Sequence, residues 1–529
     1  MRSYLRASAS CLVLFAGAAL YACASDETAP FEADGTQLDA GGDATKDRSA
    51  PPVEDGGDDE PGTDGGAKDA GKDSGSGDAG KSDGGDAGKT DGGGDAGDGG
   101  GGDAGPTTKL FYAGDFADNV TNVIGRALVP VGGGAATTGT VATNSTVFAL
   151  TPDGTKLVFA SDKDVKDRFD LHVANADGTG DVVRVTMPAA RKVTDVAVSP
   201  DGASIAYIAD GETAGQADVY VVTLAGTSAP VLVSPNGTRA NGNLDAQAIA
   251  WSRDSKYVAM SGDFTTDKKN ELYVVDVTAG TPVAVAALAD ADIPAPPGTG
   301  TAGVSTGLAP IWTSGGKVCA KADLSGASPA VFRLYCANAN GTGFATPMNF
   351  PAAPAQVGTY GISPDGATIA FSADSAAAAN AYEVFTMPAD DTAAPTRVTS
   401  GTIAAPAGFR GPDFSTPLRF SPDGTKIAFM GDLLVDNRYE LFVVAANGTA
   451  TEKRVALVGT NGDDARDIRS FAWAPDGSAL AFVADHRKDN DFEVFRTLDV
   501  TTADQAPILV QAVVTGGDIV DGSPLDWRP

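Results

Sequence analysis

Histidine is the scarcest chemical resource of this chain: His172 and His486 are the two it has in 529 residues. Two isolated imidazoles are too few for a zinc centre or a histidine-rich lyase site. Cysteine is nearly as rare, at four. Bases are outnumbered, with 38 Lys and Arg against 69 Asp and Glu and a net charge of −31, so phosphate backbones would be repelled and nucleic acid is disfavoured as a partner. No stretch is apolar for long enough to cross a bilayer, because the longest such run, Cys11 to Tyr21, falls well short of a spanning helix. Sustained helical periodicity is missing too.

What is present begins with an address. Arg2 and Arg6 precede the short apolar run, the pattern of a signal peptide. The run ends in Leu20-Tyr21-Ala22-Cys23, which resembles the lipobox of bacterial lipoproteins. That resemblance implies cleavage after residue 22, lipid on Cys23 and, from Ala24, an outer-membrane destination. The alternative is an ordinary cleaved signal with an incidental cysteine. Residues 23–105 then turn to Gly, Asp, Ala and Lys, with 22 acids and 6 bases. So few apolar side chains cannot offset the entropy of ordering, and a disordered tether of roughly 50 Å root-mean-square span is expected. Its Gly-Asp repeats lack the apolar residue that a calcium-binding β-roll needs in every copy.

Residues 106–529 carry three marks in a fixed order. A turn tetrad recurs as Thr151-Pro152-Asp153-Gly154, Ser199-Pro200-Asp201-Gly202, Ser363-Pro364-Asp365-Gly366, Ser421-Pro422-Asp423-Gly424 and Ala474-Pro475-Asp476-Gly477, with Ser252-Arg253-Asp254-Ser255 as a worn copy. Pro presets one dihedral, Asp bonds to its own backbone and Gly takes positive φ, so the tetrad reads as a tight turn between antiparallel strands. The residue before it is apolar or aromatic: Leu150, Val198, Trp251, Trp312, Ile362, Phe420, Trp473 and, with nothing after it, Trp527. The next strand closes on Asp115, Asp162, Asp210, Asp263, Asp323, Asp374, Asp432 or Asp485. A third strand opens on an acid, as at Asp170, Asp218, Glu271, Glu383, Glu440 and Glu493.

Spacing of this kind fits a four-stranded propeller blade. The repeats start out of phase, since Lys109 to Asp115 matches a second strand and Leu525 to Pro529 a first one. The expectation is an all-β, eight-bladed β-propeller closed by pairing of the C-terminal strand with the N-terminal blade. Seven blades is the alternative, with the segment around Trp312 an insertion. The marks together resemble the WD-like repeats of the TolB-type β-propeller family over most of residues 109–529, without the domain that precedes the propeller in TolB. Aligned to the marks, Cys319 and Cys336 fall on neighbouring strands and are expected to form a disulfide, two buried thiols being the other reading.

Chemistry is harder to find. Gly303-Val304-Ser305-Thr306-Gly307 has the spacing of a nucleophile elbow, but proline-rich neighbours make it a loop rather than a strand-to-helix turn. In Ser-Pro-Asp-Gly the Asp and Gly are adjacent, so the sialidase Asp-box spacing is not met. His172 stands where other repeats have Tyr or Phe and is expected to pack. The strand-ending Asp residues are expected to cap turns. Carboxylates just before the innermost strands, at Asp195, Asp245, Asp413, Asp467 and Asp521, gather at one mouth of the channel, with Arg410 among the candidate ligand-binding residues. Long connections on that face add Arg239, Phe409 and Phe414 as anchors. The reading is a lipid-anchored, monomeric, extracytoplasmic binding platform for a protein or envelope ligand, with no catalytic residue and no required cofactor. Calcium held by the mouth carboxylates is the one metal considered. Its rivals are a carbohydrate-active enzyme using channel carboxylates and a structural envelope component.

Overall fold

The computed structural model describes residues 107–529 apart from 116–120, 132–133, 146, 211–215, 236–244, 295–301, 306, 326–329, 345, 349–355, 375–381, 401–415, 435–437, 459–466, 489–490, 514–518 and 520–524. The expected signal peptide, Cys23 and the expected tether lie outside the described residues. Among those residues the one helical element is a 3-10 turn at Asp290–Asp292, and no helix is long and apolar enough to cross a membrane.

The other regular elements among the described residues are strands, in antiparallel groups of four. Group A holds β1 (Thr107–Gly114), β2 (Val123–Pro130) and β3 (Thr137–Thr143). Group B is β4 (Phe148–Leu150), β5 (Lys156–Ser161), β6 (Asp170–Asn175) and β7 (Val182–Val185). Group C is β8 (Val193–Val198), β9 (Ser204–Asp210), β10 (Ala217–Thr223) and β11 (Val231–Leu232). Group D is β12 (Ala246–Trp251), β13 (Tyr257–Gly262), β14 (Lys269–Asp276) and β15 (Ala284–Leu288). Group E is β16 (Ala302–Val304), β17 (Ile311–Trp312), β18 (Lys317–Asp323) and β19 (Arg333–Asn338). Group F is β20 (Val357–Ile362), β21 (Thr368–Asp374), β22 (Tyr382–Pro388) and β23 (Thr396–Arg397). Group G is β24 (Arg419–Phe420), β25 (Lys426–Gly431), β26 (Glu440–Ala445) and β27 (Lys453–Ala456). Group H is β28 (Ile468–Trp473), β29 (Leu480–Ala484), β30 (Glu493–Arg496) and β31 (Ile508–Gln511). The last strand, β32 (Asp526–Arg528), pairs with β1 and completes group A, Leu110 facing Trp527 and Phe111 facing Asp526.

Each group is a meander in which consecutive strands are neighbours, with one exception. Groups D and E share a sheet, because β16 runs parallel to β14 while pairing antiparallel with β18. Both β16 and β17 lie on the same side of β18, so the first strand of group E is split by a six-residue excursion from 305 to 310. Its fourth strand is reduced to a bridge between Tyr335 and Pro347. The segment expected as a loop at Gly303-Val304 is therefore strand, held because Ala302 N–H donates to Lys268 O at 2.9 Å and Ser305 N–H to Lys321 O at 2.8 Å. Among the described residues no helix follows Ser305, so the strand-to-helix turn of an elbow is not found there.

The tetrads turn as their chemistry requires. Ser199 Oγ donates to Asp201 Oδ1, the N–H groups of Ala203 and Ser204 close back on Asp201 and Ser199, and Gly202 sits at φ 72°. Neighbouring tetrads also touch. Asp201 N–H donates to Ser255 Oγ of the next turn at 2.9 Å, and Ser314 N–H to Gly366 O at 2.8 Å. A Cβ on Gly366 would lie 2.8 Å from that Ser314 nitrogen, so glycine is required there for approach as well as for its φ of 73°. The worn copy has a use: Arg253, standing where Pro is usual, reaches past group E to the carbonyl of Pro364.

The core lies between groups. Eight clusters of buried apolar residues are found, each joining one group to the next. One joins Phe111 and Ile124 of group A to Phe148 and Phe159 of group B, and another joins Phe492 and Val494 of group H to Leu110 and Trp527 of group A. Within groups, second and third strands place rings directly across the ladder, as in Tyr207 with Tyr220, Phe371 with Phe385, Phe429 with Phe442 and Phe482 with Phe495, at 5.4 to 6.0 Å. Such pairs add about 0.5–1 kcal/mol each beyond their burial. Cys319 and Cys336 are opposite one another in β18 and β19 and are disulfide-bonded, with Cα atoms 4.1 Å apart.

Candidate functional site

Most recurring carboxylates are occupied by the backbone that surrounds them. Asp263 accepts the N–H of Asp245 at 2.8 Å and of Lys268 at 3.1 Å, and Asp485 accepts that of Asp467 at 2.7 Å. Asp162 accepts Asp167 N–H, and Asp323 accepts the N–H and hydroxyl of Ser325. Asp162, Asp263 and Asp323 thus cap second-to-third-strand turns, while Asp263 and Asp485 also hold the residue just ahead of the first strand. The acids that open third strands tie down the fourth: Asp170 takes Met187 N–H, Asp218 the Ser234 hydroxyl and Glu271 the Asp290 N–H. Glu383 pairs with Arg397, and Glu440 is enclosed with both Arg438 and Arg454.

Of the mouth residues singled out from the sequence, Asp195, Asp245 and Asp467 are described, while Arg410, Asp413 and Asp521 lie outside the described residues, as do Arg239, Phe409 and Phe414. Asp245 and Asp467 precede β12 and β28, and both are consumed as clips between groups. Ala217 N–H of group C donates to Asp245 Oδ1 at 2.7 Å, and Tyr439 N–H of group G to Asp467 Oδ1 at 3.0 Å. Asp195 differs from the expectation in place and in kind. It is the third residue of β8 itself rather than a residue ahead of the strand, because a bulge between Val193 and Asp195 advances the register there. Its carboxylate accepts Val196 N–H at 2.8 Å and has no other partner among the described residues. Burial pushes its pKa up to about 6, only partly opposed by that hydrogen bond.

Sequence reasoning passed over one feature of the first strands. First strands of successive groups lie against each other, β4 on β8, β8 on β12, β12 on β17, β17 on β20, β20 on β24 and β28 on β32. The residue before the apolar mark is Ala149, Ala197, Ala250 or Ala472 in four groups, and Ile311 or Gly361 in two more. In groups G and A the same position holds Arg419 and Asp526. Three of these carbonyls accept a tryptophan indole from the next group: Trp251 Nε1 donates to Ala197 O, Trp312 Nε1 to Ala250 O and Trp473 Nε1 to Arg419 O, at 3.0 to 3.1 Å. Asp526 is paired by its own neighbour Arg528, Nε to Oδ1 at 2.7 Å. The Arg419 guanidinium lies 5.8 Å from the Phe471 ring and makes no hydrogen bond or ion pair among the described residues. The charge break in a run of alanines was the signal that could have exposed it.

His172 stacks on Phe159 with ring centroids 5.1 Å apart, the packing role expected, and its Nδ1 lies 3.0 Å from Asp181 Oδ1. His486 meets Phe495 edge-on at 5.4 Å. Among the described residues no three His, Cys, Asp or Glu side chains converge as a metal centre.

No curated protein matches the chain. Solved structures resemble it distantly: an oligogalacturonate lyase in complex with manganese is 16% identical with a TM-score of 0.43, over 74% of this chain and 97% of that one. The oligogalacturonate lyase of Vibrio parahaemolyticus is 12% identical with a TM-score of 0.43, over 75% and 98%. The β-propeller domain of the Trilobed protease from Pyrococcus furiosus is 10% identical with a TM-score of 0.40, over 65% and 93%. At that distance none of their activities transfers. The family model matched by residues 118–303, spanning groups A to D and the start of E, is that of the lipoprotein LpqB β-propeller domain.

Proposed function

We propose that the chain is a lipid-anchored extracytoplasmic β-propeller that binds a ligand, its eight groups forming one closed ring of eight blades around a channel. One hydrogen bond carries the ring. The residue opening a first strand donates its N–H to the carbonyl just ahead of the previous group's third strand: Val193 to Phe169, Ala302 to Lys268, Val357 to Phe332 and Ile468 to Tyr439. A related bond, from a residue several places ahead of the first strand, reaches the same carbonyl position on either side of group A: Ile519 N–H donates to Phe492 O at 3.2 Å and Ser145 N–H to Asn122 O at 3.1 Å. With β32 beside β1 no edge is left between last group and first, which fits a fold that manages sheet edges by closing on itself.

Binding rather than catalysis is supported by the state of the acids. Asp245 and Asp467 spend their carboxylates on holding blades together, and Asp195 stands alone as a desolvated carboxylate on an innermost strand. A single such group suits recognition of a cationic or hydrogen-bonding element of a ligand better than paired acid–base work. The test is affinity capture from envelope extracts with the full lipidated chain, with and without calcium. A captured partner lost in Asp195→Asn and retained in Asp467→Asn supports the reading; turnover of an envelope polysaccharide abolished by Asp195→Asn would replace it with the enzyme. Cys23→Ala should release the chain from the membrane fraction, and retention there defeats the lipid anchor.

A further inference from the structure

We propose that the recess between the turn after β17 in group E and the turn after β22 in group F binds a small zwitterion, an α-amino acid with a compact apolar side chain. The site stands on contacts within groups E and F and needs neither the closed ring nor Asp195. The sequence marks the place. In groups B, C, D, F and G the first residue of the tetrad donates its hydroxyl to the tetrad Asp. In those groups and in H the N–H two residues past that Asp closes on the same carboxylate. Group E has Thr313-Ser314-Gly315-Gly316 there, so the acid is missing. A residue is missing too: Ser199 N–H donates to the carbonyl of Ser204, five residues on, as its counterparts do in the other tetrads, whereas Thr313 N–H donates to Lys317 O, four residues on.

At the shortened turn lies a cavity of about 300 Å³, floored by the buried Thr313 and Ala389 and walled by residues of both groups. That volume is at the low end of ligand pockets, about 300–1,000 Å³, and suits a small molecule. Its polar groups are uncommitted. Thr313 Oγ1 accepts Lys317 N–H at 3.1 Å, but with no tetrad Asp beside it the proton of that hydroxyl has no acceptor among the described residues. Gly315 N–H and the Lys317 ammonium are likewise without a partner among them. From group F, Asp390 uses Oδ1 for the N–H and hydroxyl of Thr392 and leaves Oδ2 open. Those two bonds hold the Asp390 carboxyl below its ordinary range, and Lys317 adds a smaller pull in the same direction, although no ion pair joins the two. Opposite charges near enough to sense each other and too far apart to pair match a ligand that carries both: its carboxylate faces the Thr313, Gly315 and Lys317 donors, and its ammonium faces Asp390 Oδ2. Ala367, Pro388 and Ala389 supply the apolar wall for a compact side chain. The net charge of −31 works against a free anion but not against a neutral zwitterion.

Isothermal titration calorimetry of the full chain with L-valine, isovalerate and isobutylamine tests the site. Saturable one-to-one binding of L-valine is expected, with isovalerate and isobutylamine, each lacking one of its charges, weaker by about tenfold or more. Lys317→Gln and Asp390→Asn should each weaken L-valine by a similar factor. Gly315→Asp returns the missing acid. A Cβ at Gly315 meets nothing nearer than Thr313 Oγ1 at 3.8 Å, so the backbone tolerates the change, and the new carboxylate should take the Thr313 hydroxyl and exclude the ligand. None of the three positions is buried, so the variants should melt with the parent. No saturable heat with L-valine, or undiminished affinity in Lys317→Gln, Asp390→Asn or Gly315→Asp, overturns the site; equal affinity for isovalerate or isobutylamine overturns the zwitterion assignment.

Discussion

The indole N–H of Trp527 donates to Thr108 Oγ1 at 2.7 Å, so the third residue from the C-terminus is fastened to the opening of the first strand. In the other groups the tryptophan at this mark donates to a backbone carbonyl of the preceding group. Here it closes a group assembled from the two ends of the repeat region. Lys109 and Arg528 are direct partners across β1 and β32. Cysteines at both positions are expected to oxidise spontaneously under the conditions that form Cys319–Cys336, and to raise stability by roughly 2–4 kcal/mol. Non-reducing electrophoresis after limited proteolysis checks this; fragments that separate without reductant would show that the ends do not meet.

Trp527 is buried and packs with Leu110, Tyr112 and Phe492. Trp527→Ala should cost about 3–5 kcal/mol, because it both opens a cavity and frees the edge of β1. Chemical denaturation of the full chain measures it. A loss under 1 kcal/mol would mean that β32 contributes little to holding group A together.

The native disulfide makes a simpler case. Cys319 is fully buried, so intact mass should show no alkylation at Cys319 or Cys336 without reductant and two labels after reduction and unfolding. Replacing both with alanine is expected to lower stability by about 2–3 kcal/mol, from a loop with a sequence separation of 17.

The architecture was legible because each mark has one local cause. The apolar marks end first strands at Leu150, Val198, Trp251, Trp312, Ile362, Phe420 and Trp473, and the strand-closing Asp residues lie at or one residue past the second strands. Alternation and turn chemistry act over a few residues, so a linear reading finds them. What stayed hidden depends on contacts between groups. Asp245 reads as a free acid until Ala217, 28 residues away in the preceding group, is seen donating to it. Arg253 reads as decay of a proline until Pro364 is found on its far side. Asp195 was placed before its strand because a bulge shifts register without a sequence mark. The split first strand of group E misled in the same way, since its two halves are joined only through β18.

Asp467 offers a contrast with Asp195. Removing its carboxylate leaves Tyr439 N–H without its acceptor between two groups, so Asp467→Ala should destabilise by about 1–3 kcal/mol without altering ligand capture. Thermal unfolding and capture on the same variant separate the two effects; a variant of native stability that captures nothing would return Asp467 to the binding surface.

Stability should respond to pH in opposite directions at the two kinds of aspartate. The Asp195 carboxyl, raised by burial to about 6, has a folded pKa above the unfolded value of about 3.9, so its proton favours the folded state. That contribution is fully present below about pH 4 and is lost as pH rises through 6, an effect on the order of 2–3 kcal/mol for a gap of about two pKa units. Asp263 and Glu271, also raised by desolvation, add to the same limb. The tetrad acids run the other way: the Ser421 and Thr425 bonds hold Asp423 down to about 2, and Asp201, Asp365 and Asp476 are lowered by equivalent bonds. Their contribution is present above about pH 4 and lost as pH falls through 2. Melting temperature should therefore peak on the acid side of neutrality, and Asp195→Asn should raise it at pH 7 while leaving it unchanged at pH 4. Parallel curves for the two proteins between pH 4 and 7 would mean that Asp195 titrates as an ordinary solvated carboxyl, and with that the case for a desolvated acid on the first strand of group C would fall.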